Sequence, residues 1–373
     1  MNGGFSPPDY PYERLRYLAS EAESAAFPGG LVDLSIGAPC DPPPPSVAEE
    51  LAAAPALRGY PASRGTDAYR AACAGFLSGS FGVELDPDSL AACIGTKELV
   101  ASLPHYLRLR RPDRDTVLYP EISYPTYEMG ALLAGCRAVP VPVDSRWRLD
   151  LSSIGDGDVE RALLLWVNSP GNPAGQLDDL SAVAGWGAER GVLIASDECY
   201  ADFTWQGGPR SILESGTAGL LAIHSISKRS NLAGLRAGFY AGDPGLVGYL
   251  SLARMHAGMM VPGPVQAAAA RAWSDVEHLS SQRETYRRRL ARLVEILTGA
   301  GAEASMPEGG IYIWARCPTG KKDAWEFARF LARRGGVLVS PGDLYGPAGK
   351  GFVRVAAVQP DERLEMVAER LKV

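Results

Sequence analysis

Apolar and polar positions change their rhythm twice along the chain. Residues 1–45 hold no sustained period and carry Pro7, Pro8, Pro11, Pro28 and the run Asp41-Pro42-Pro43-Pro44-Pro45. Proline fixes φ and removes a backbone donor, so this stretch reads as an arm and an irregular lead-in rather than a packed layer. Ser46–Ala54 reads as a short helix started by Ser46, and Asp67–Phe81 as a second with Ala, Leu and Phe on one side. From about residue 90, short apolar runs alternate with helical periods. Strands are predicted at Ser89–Gly95, Asp115–Tyr119, Arg137–Val143, Ala162–Asn168, Val192–Ser196 and Leu220–Ser225. Helices are predicted between them at Lys97–Leu109, Tyr124–Ala134 and Leu177–Arg190. Ala162–Asn168 is apolar almost throughout, as in a strand covered on both faces. This alternation predicts an α/β fold, a mostly parallel sheet covered by helices.

The second change follows Asp243-Pro244. Residues 245–300 are helical in pattern, with Val276–Leu297 the longest stretch. Strands at Gly310–Cys317 and Phe352–Val358 with a helix at Ala324–Arg334 then make a smaller α+β unit. The organisation expected is an arm and part of a small domain over residues 1–45, a large domain over 46–245, and a small C-terminal domain over 246–373. Gly342–Gly351 is expected to be a flexible turn.

Composition removes several classes of function. Among 373 residues the formal net charge is −6, which argues against a chain-wide basic footprint for nucleic acid. The run Arg287, Arg288, Arg289 and Arg292 reads as the solvated face of a helix. No apolar run approaches the ~18 residues of a membrane span, and the N-terminus has no signal-peptide core. A cytoplasmic protein is expected. Cys40, Cys73, Cys93, Cys136, Cys199 and Cys317 form no Cys-x-x-Cys pair, and His105, His224, His256 and His278 show no zinc-ligand spacing. Reduced thiols and no metal site are expected.

The chain has six lysines against 31 arginines, which narrows any amine chemistry. Lys321 and Lys322 fall in a polar turn, Lys350 in a glycine-rich loop and Lys372 at the C-terminus. Lys97 opens a helix, where its backbone N–H is expected to matter more than its amine. Lys228 alone sits at a strand end. An amine held there and partly desolvated loses its proton near neutral pH, as a Schiff-base lysine requires.

In α/β sheets ligands sit beyond the carboxyl ends of the strands. Those ends carry Gly95-Thr96-Lys97, Asn168-Ser169-Pro170-Gly171-Asn172, Asp197-Glu198-Cys199-Tyr200 and Ser225-Ile226-Ser227-Lys228. Taken singly each has a plain structural reading: Asp197 a helix cap, Asn172-Pro173 a turn, Tyr124 a core aromatic. Taken together they suit pyridoxal 5'-phosphate. Gly95, Thr96 and Lys97 supply a helix start for its phosphate, Ser225 and Ser227 hydroxyls, and Arg236 a fixed charge. Asp197 suits its ring nitrogen, Asn172 and Tyr200 its phenolic oxygen, and Tyr124 its ring face.

The segment Ser225-Ile226-Ser227-Lys228-Arg229-Ser230-Asn231-Leu232-Ala233-Gly234-Leu235-Arg236-Ala237-Gly238 resembles the lysine motif of the class I/II aminotransferases of pyridoxal-phosphate fold type I. The resemblance runs from about Val32 to the C-terminus. It implies a seven-stranded, mostly parallel sheet in a large cofactor-binding domain, with Lys228 as the cofactor lysine and Arg236 as the phosphate-binding arginine. It implies Gly37 and Arg354 at the substrate carboxylate, and Tyr60 reaching the cofactor phosphate of a neighbouring subunit in a homodimer with shared sites. Amino acids and 2-oxo acids are the implied substrates. Within the family the likeness is to N-succinyldiaminopimelate aminotransferases of actinobacterial type. It is carried by Gly95–Leu99, Tyr124–Tyr127, Ser196–Tyr200, His256–Pro262 and Pro341–Pro347. That likeness implies exchange between glutamate and N-succinyl-2-amino-6-oxopimelate. Transamination of aspartate or alanine, or a lyase on the same fold, is the alternative. Arg229 stands where the family suggests a small or uncharged residue, and is a candidate for substrate choice.

Overall fold

The computed structural model describes residues 5–24, 26–53, 59–320 and 323–372. The expected turn at Lys321 and Lys322, and the end of the first predicted helix at Ala54, lie outside them. The central sheet has seven strands in the order Leu90–Cys93, Gly238–Gly242, Leu220–Ser225, Leu193–Asp197, Ala162–Asn168, Thr116–Pro120, Arg137–Val141. The last five are parallel to one another. Gly238–Gly242 runs antiparallel to both of its neighbours. The sequence reading omitted this strand. Gly238 and Gly242 bound it, and each packs where a Cβ would strike the neighbouring backbone, at His224 and Leu220. Glycine there marks close approach rather than a break.

The apolar run Ala162–Asn168 explains how the sheet is covered. Leu165 and Val167 join Tyr69, Phe76, Ile194, Phe239 and Trp273 on one face. Leu164 and Trp166 join Leu103, Tyr127, Ile223 and Val247 on the other. Both side-chain sets of one strand are buried, as a doubly covered sheet demands. A third cluster holds Leu15, Leu18, Val32, Tyr286, Ile311, Phe327, Leu331, Val353 and Leu364, so both ends of the chain share one core. Its sheet is antiparallel, in the order Ser340–Pro341, Phe352–Ala356, Tyr312–Arg316. Val32–Asp33 also pairs in parallel with Val337–Leu338.

Three expectations are corrected. Residues 1–45 are not wholly irregular, because Leu15–Ser24 is a helix that buries Leu15, Leu18 and Ala22. Their helical spacing is masked by flanking prolines and glycines. Gly342–Gly351 is not a flexible turn. Gly342–Tyr345 and Pro347–Gly349 are short 3₁₀ helices, and Cβ atoms at Gly342 or Gly349 would collide with each other's carbonyls. The arginine run is only partly a solvated face, with Arg287 and Arg288 exposed. Arg289 is buried and donates to Asp41 at 2.6 and 2.7 Å and to Asp361 at 3.0 Å. Arg288 donates to Asp361 at 2.8 Å, and Arg292 pairs with Glu365 at 2.6 Å. These pairs bind the long helix Val276–Gly299 to the final helix Asp361–Leu371.

Arg289→Ala leaves Asp41 half-buried without its bidentate partner. It should cost about 3 kcal/mol, whereas the exposed Arg287→Ala should stay within about 0.5 kcal/mol. Thermal melts of the two variants check this, and equal melting temperatures would contradict the pairing argument.

Candidate active site

The strand ends open into a cavity of about 470 Å³ lined by Gly37, Thr96, Lys97, Tyr124, Asn172, Asp197, Tyr200, Ser225, Ser227, Lys228, Arg236 and Arg354. The structure thus brings together all but two of the expected site residues. Gly95 stands just behind, at the start of the helix Thr96–Arg110. Tyr60 does not line the cavity and is 97 % exposed.

Lys228 follows the strand Leu220–Ser225 in a single helical turn, Ile226–Arg229. Its Nζ donates to the carbonyl of Gly37. Burial, with the Arg354 charge next in weight, pushes its pKa from 10.5 down to about 8. Near pH 8 a good fraction of this amine is therefore neutral and nucleophilic. Arg229 points elsewhere. It is buried and donates to the carbonyls of Ala272 at 2.6 Å and Trp273 at 3.2 Å, at the end of the helix Gly263–Trp273. A cation at a helix C-terminus is a structural cap, so the expected part in substrate choice is not supported.

Asp197 ends the strand Leu193–Asp197 and is buried. One oxygen accepts from Tyr127 Oη at 2.9 Å and the other from the Cys199 backbone N–H at 3.2 Å. Burial raises its pKa, and these hydrogen bonds oppose the rise. Such a carboxylate lacks a cationic partner, and a protonated ring nitrogen would supply one. Tyr127 escaped the sequence reading. Its ring stacks on Trp166 at 5.0 Å, a contact between distant segments that leaves no local signal.

The turn after Ala162–Asn168 is pinned by Asn168, whose Nδ2 donates to the Asp197 carbonyl at 2.8 Å and whose Oδ1 accepts from the Asn172 N–H at 2.7 Å. Asn172 Oδ1 in turn accepts from Arg354 Nη1 at 2.8 Å. Arg354 is buried, gives Nη2 to the Ser35 carbonyl, and leaves Nε with no hydrogen-bond partner. Its guanidinium lies 4.2 Å from the Tyr312 ring and 4.7 Å from the Tyr345 ring. Tyr312 also shares a 2.9 Å hydrogen bond with Tyr200. A Cβ at Gly37 would strike the Tyr312 hydroxyl, which explains the glycine there.

Around the helix start, Ser225 Oγ donates to Ser227 Oγ at 2.8 Å. Arg236 lies in the left-handed region (φ 56°, ψ 54°), a conformation that costs about 1–3 kcal/mol outside glycine. Its guanidinium packs over Gly95 (φ 68°), where any Cβ would overlap it. Glu98 holds the turn from behind, accepting from the Ile94 N–H at 2.8 Å and from the buried Arg254 at 2.9 Å. Backbone donors at the start of the helix Thr96–Arg110, hydroxyls and one guanidinium make a site suited to an anion. Among the described residues no group of His, Cys, Asp and Glu side chains is placed to hold a metal ion, and no helix is long and apolar enough to cross a membrane.

Residues 30–371 match the family described as aminotransferase class I and II. The chain belongs to the class I and II aminotransferases. It is 41% identical to the 4-dedimethylamino-4-oxo-anhydrotetracycline transaminase OxyQ of Streptomyces rimosus, over 98% of this chain and 99% of that one. It is 34% identical to the LL-diaminopimelate aminotransferase of Desulforudis audaxviator, over 98% of this chain and 95% of that one. Its structure is similar to a probable N-succinyldiaminopimelate aminotransferase from Thermus thermophilus, with a TM-score of 0.85 and 31% identity over 96% of this chain and 99% of that one. The aminotransferase therefore depends on pyridoxal phosphate and exchanges amino groups between amino acids and 2-oxo acids. When bound, that cofactor supplies an electron sink for bonds at the substrate Cα. The residues present fit it: an amine, a buried carboxylate without a cation, and an anion cradle that only Gly95 permits.

Tyr127→Phe removes a donor from Asp197 and should drive its pKa further up. The variant should retain pyridoxal phosphate about ten-fold less tightly, measured by equilibrium dialysis. Unchanged retention would show that the Tyr127 hydroxyl does not support the carboxylate.

Proposed function

We propose that this aminotransferase moves an amino group between glutamate and a long 2-oxo acid with several carboxylates, of the N-succinyl-2-amino-6-oxopimelate type. Its reverse donor is then N-succinyl-LL-diaminopimelate. One observation carries the reading: the cavity has more cations than cofactor and α-carboxylate use. Lys228 serves as the cofactor lysine, Arg236 answers the phosphate and Arg354 the α-carboxylate. Lys97 remains, a lining residue whose amine is 6.0 Å from the Tyr124 ring centroid. A second carboxylate is its natural partner. The solved Thermus thermophilus relative supports this substrate class.

In this reading Lys228 Nζ, partly neutral near pH 8, would act as the base that takes the proton from the substrate Cα. Asp197 holds a proton on the cofactor's ring nitrogen. Asn172 and Tyr200 direct hydrogen bonds to the phenolic oxygen, and Gly95, Thr96, Ser225, Ser227 and Arg236 hold the phosphate. Lys97 lines the cavity, and in this reading its amine would serve beyond the backbone N–H expected of it. Gly37 and Arg354 fix the α-carboxylate and so the direction of the Cα–H bond. The exposed Tyr60 would complete a phosphate site in a second copy, which makes a cytoplasmic homodimer part of the proposal. A second reading takes a polycyclic ketone as acceptor. The identity to OxyQ favours it, as does a cavity walled by Tyr10, Tyr12, Tyr124 and Tyr312.

A panel of donors and 2-oxo acids tests the proposal. N-succinyl-LL-diaminopimelate with 2-oxoglutarate should give the highest kcat/KM, and Lys228→Ala should abolish turnover. Lys97→Ala should raise KM for glutamate about ten-fold and leave alanine nearly unaffected. Preference for alanine or for a ring ketone would reject the multi-carboxylate reading.

A further inference from the structure

Lys97 carries its charge on a flexible four-carbon stem, so something must aim the amine. Its Nζ donates to Tyr10 Oη at 3.0 Å and lies 4.6 Å from the centre of the Tyr10 ring. Two residues further on, Tyr12 donates to Tyr345 Oη at 3.0 Å, and its ring centre is 5.9 Å from the Arg354 guanidinium carbon. The rings of Tyr10 and Tyr12 are themselves 5.5 Å apart. One short piece of the N-terminal arm therefore covers a cation at each of two places in the cavity. It is tied down just beyond, where Arg14 pairs with Asp343 at 3.4 Å and Leu15 enters the core.

An ammonium has three donors. Tyr10 Oη accepts from one of them, which leaves two for an oxygen ligand. Burial works against the Lys97 charge, yet the Tyr10 hydrogen bond and the surrounding phenols carry its pKa above the ordinary lysine value. The amine is thus kept charged beside the cavity, where a carboxylate can accept from it.

We propose that Tyr10 is a positioning residue for substrate specificity, holding the Lys97 amine where it meets the second acid group of a substrate. The inference rests on the multi-carboxylate reading above and adds to it the residue that makes Lys97 effective.

The test uses the holoenzyme in single-turnover half-reactions with glutamate and with alanine, reading apparent dissociation constant and limiting rate separately. Tyr10→Ala should weaken glutamate binding about five-fold, with a smaller change in limiting rate and little change for alanine. Tyr10→Phe keeps the ring and should recover part of the loss. With Lys97→Ala already present, Tyr10→Ala should no longer alter the glutamate-to-alanine ratio. Equal weakening of both amino acids, or an effect that persists without Lys97, would overturn the proposal. If Lys97→Ala shifts the ratio and Tyr10→Ala does not, this inference alone fails. If Lys97→Ala itself leaves the ratio unchanged, the multi-carboxylate reading fails with it.

Discussion

Among the described residues, the basic side chains Lys97, Lys228, Arg236 and Arg354 share one cavity with one carboxylate, Asp197. The rest of the site depends on that imbalance. Positive charge around Lys228, added to its burial, favours the neutral amine. The same surplus attracts a phosphate and carboxylates. The chain as a whole carries −6, so the local field is a product of placement and not of composition.

Placement follows from the sheet. Strands buried on both faces, such as Ala162–Asn168, are held rigidly by two hydrophobic layers. Their last residues then have little freedom, and Asp197, Asn168 and Lys228 converge at one edge. Where the required geometry is unfavourable, packing enforces it. Arg236 is held left-handed over a glycine that leaves it room, and the buried Arg254 steadies the helix start through Glu98. Strain of this kind persists only when its surroundings over-determine it. The antiparallel sheet and its core contribute Arg354, with Tyr312 and Tyr345 beside it. They are joined to the N-terminal segment by Val32–Asp33 and to the final helix by the arginine pairs of Val276–Gly299.

Much of this was legible in the sequence, for identifiable reasons. Period and length disclosed the parallel strands, and the rule that ligands lie beyond their carboxyl ends disclosed the site. Lysine scarcity isolated Lys228, because each other lysine had a plainer position. The missing parts of the site share one cause: they are contacts between residues distant in sequence. Tyr127 beneath Asp197, Tyr312 and Tyr345 around Arg354, and Tyr12 over them carry no mark of their own in a single chain. Arg289 looked solvated because Asp41 and Asp361, which neutralise it, lie 248 and 72 residues away. Helix Asp361–Leu371, which buries Leu364, Val367 and Ala368 at helical spacing, could have been found by period alone.

Folding lowers the Lys228 pKa, so the folded chain binds fewer protons than the unfolded one. Its stability should rise with pH between about 8 and the ordinary lysine value of 10.5, and this group should add no pH dependence below that window, where both states are protonated. With six lysines in the chain, the amine itself can be followed. NMR of the cofactor-free protein with isotope-labelled lysine side chains, titrated with base, tests the central claim most directly. The account predicts one resonance titrating at about 8 that is absent from Lys228→Ala. If all six titrate near 10.5, the cavity does not hold its amine as described.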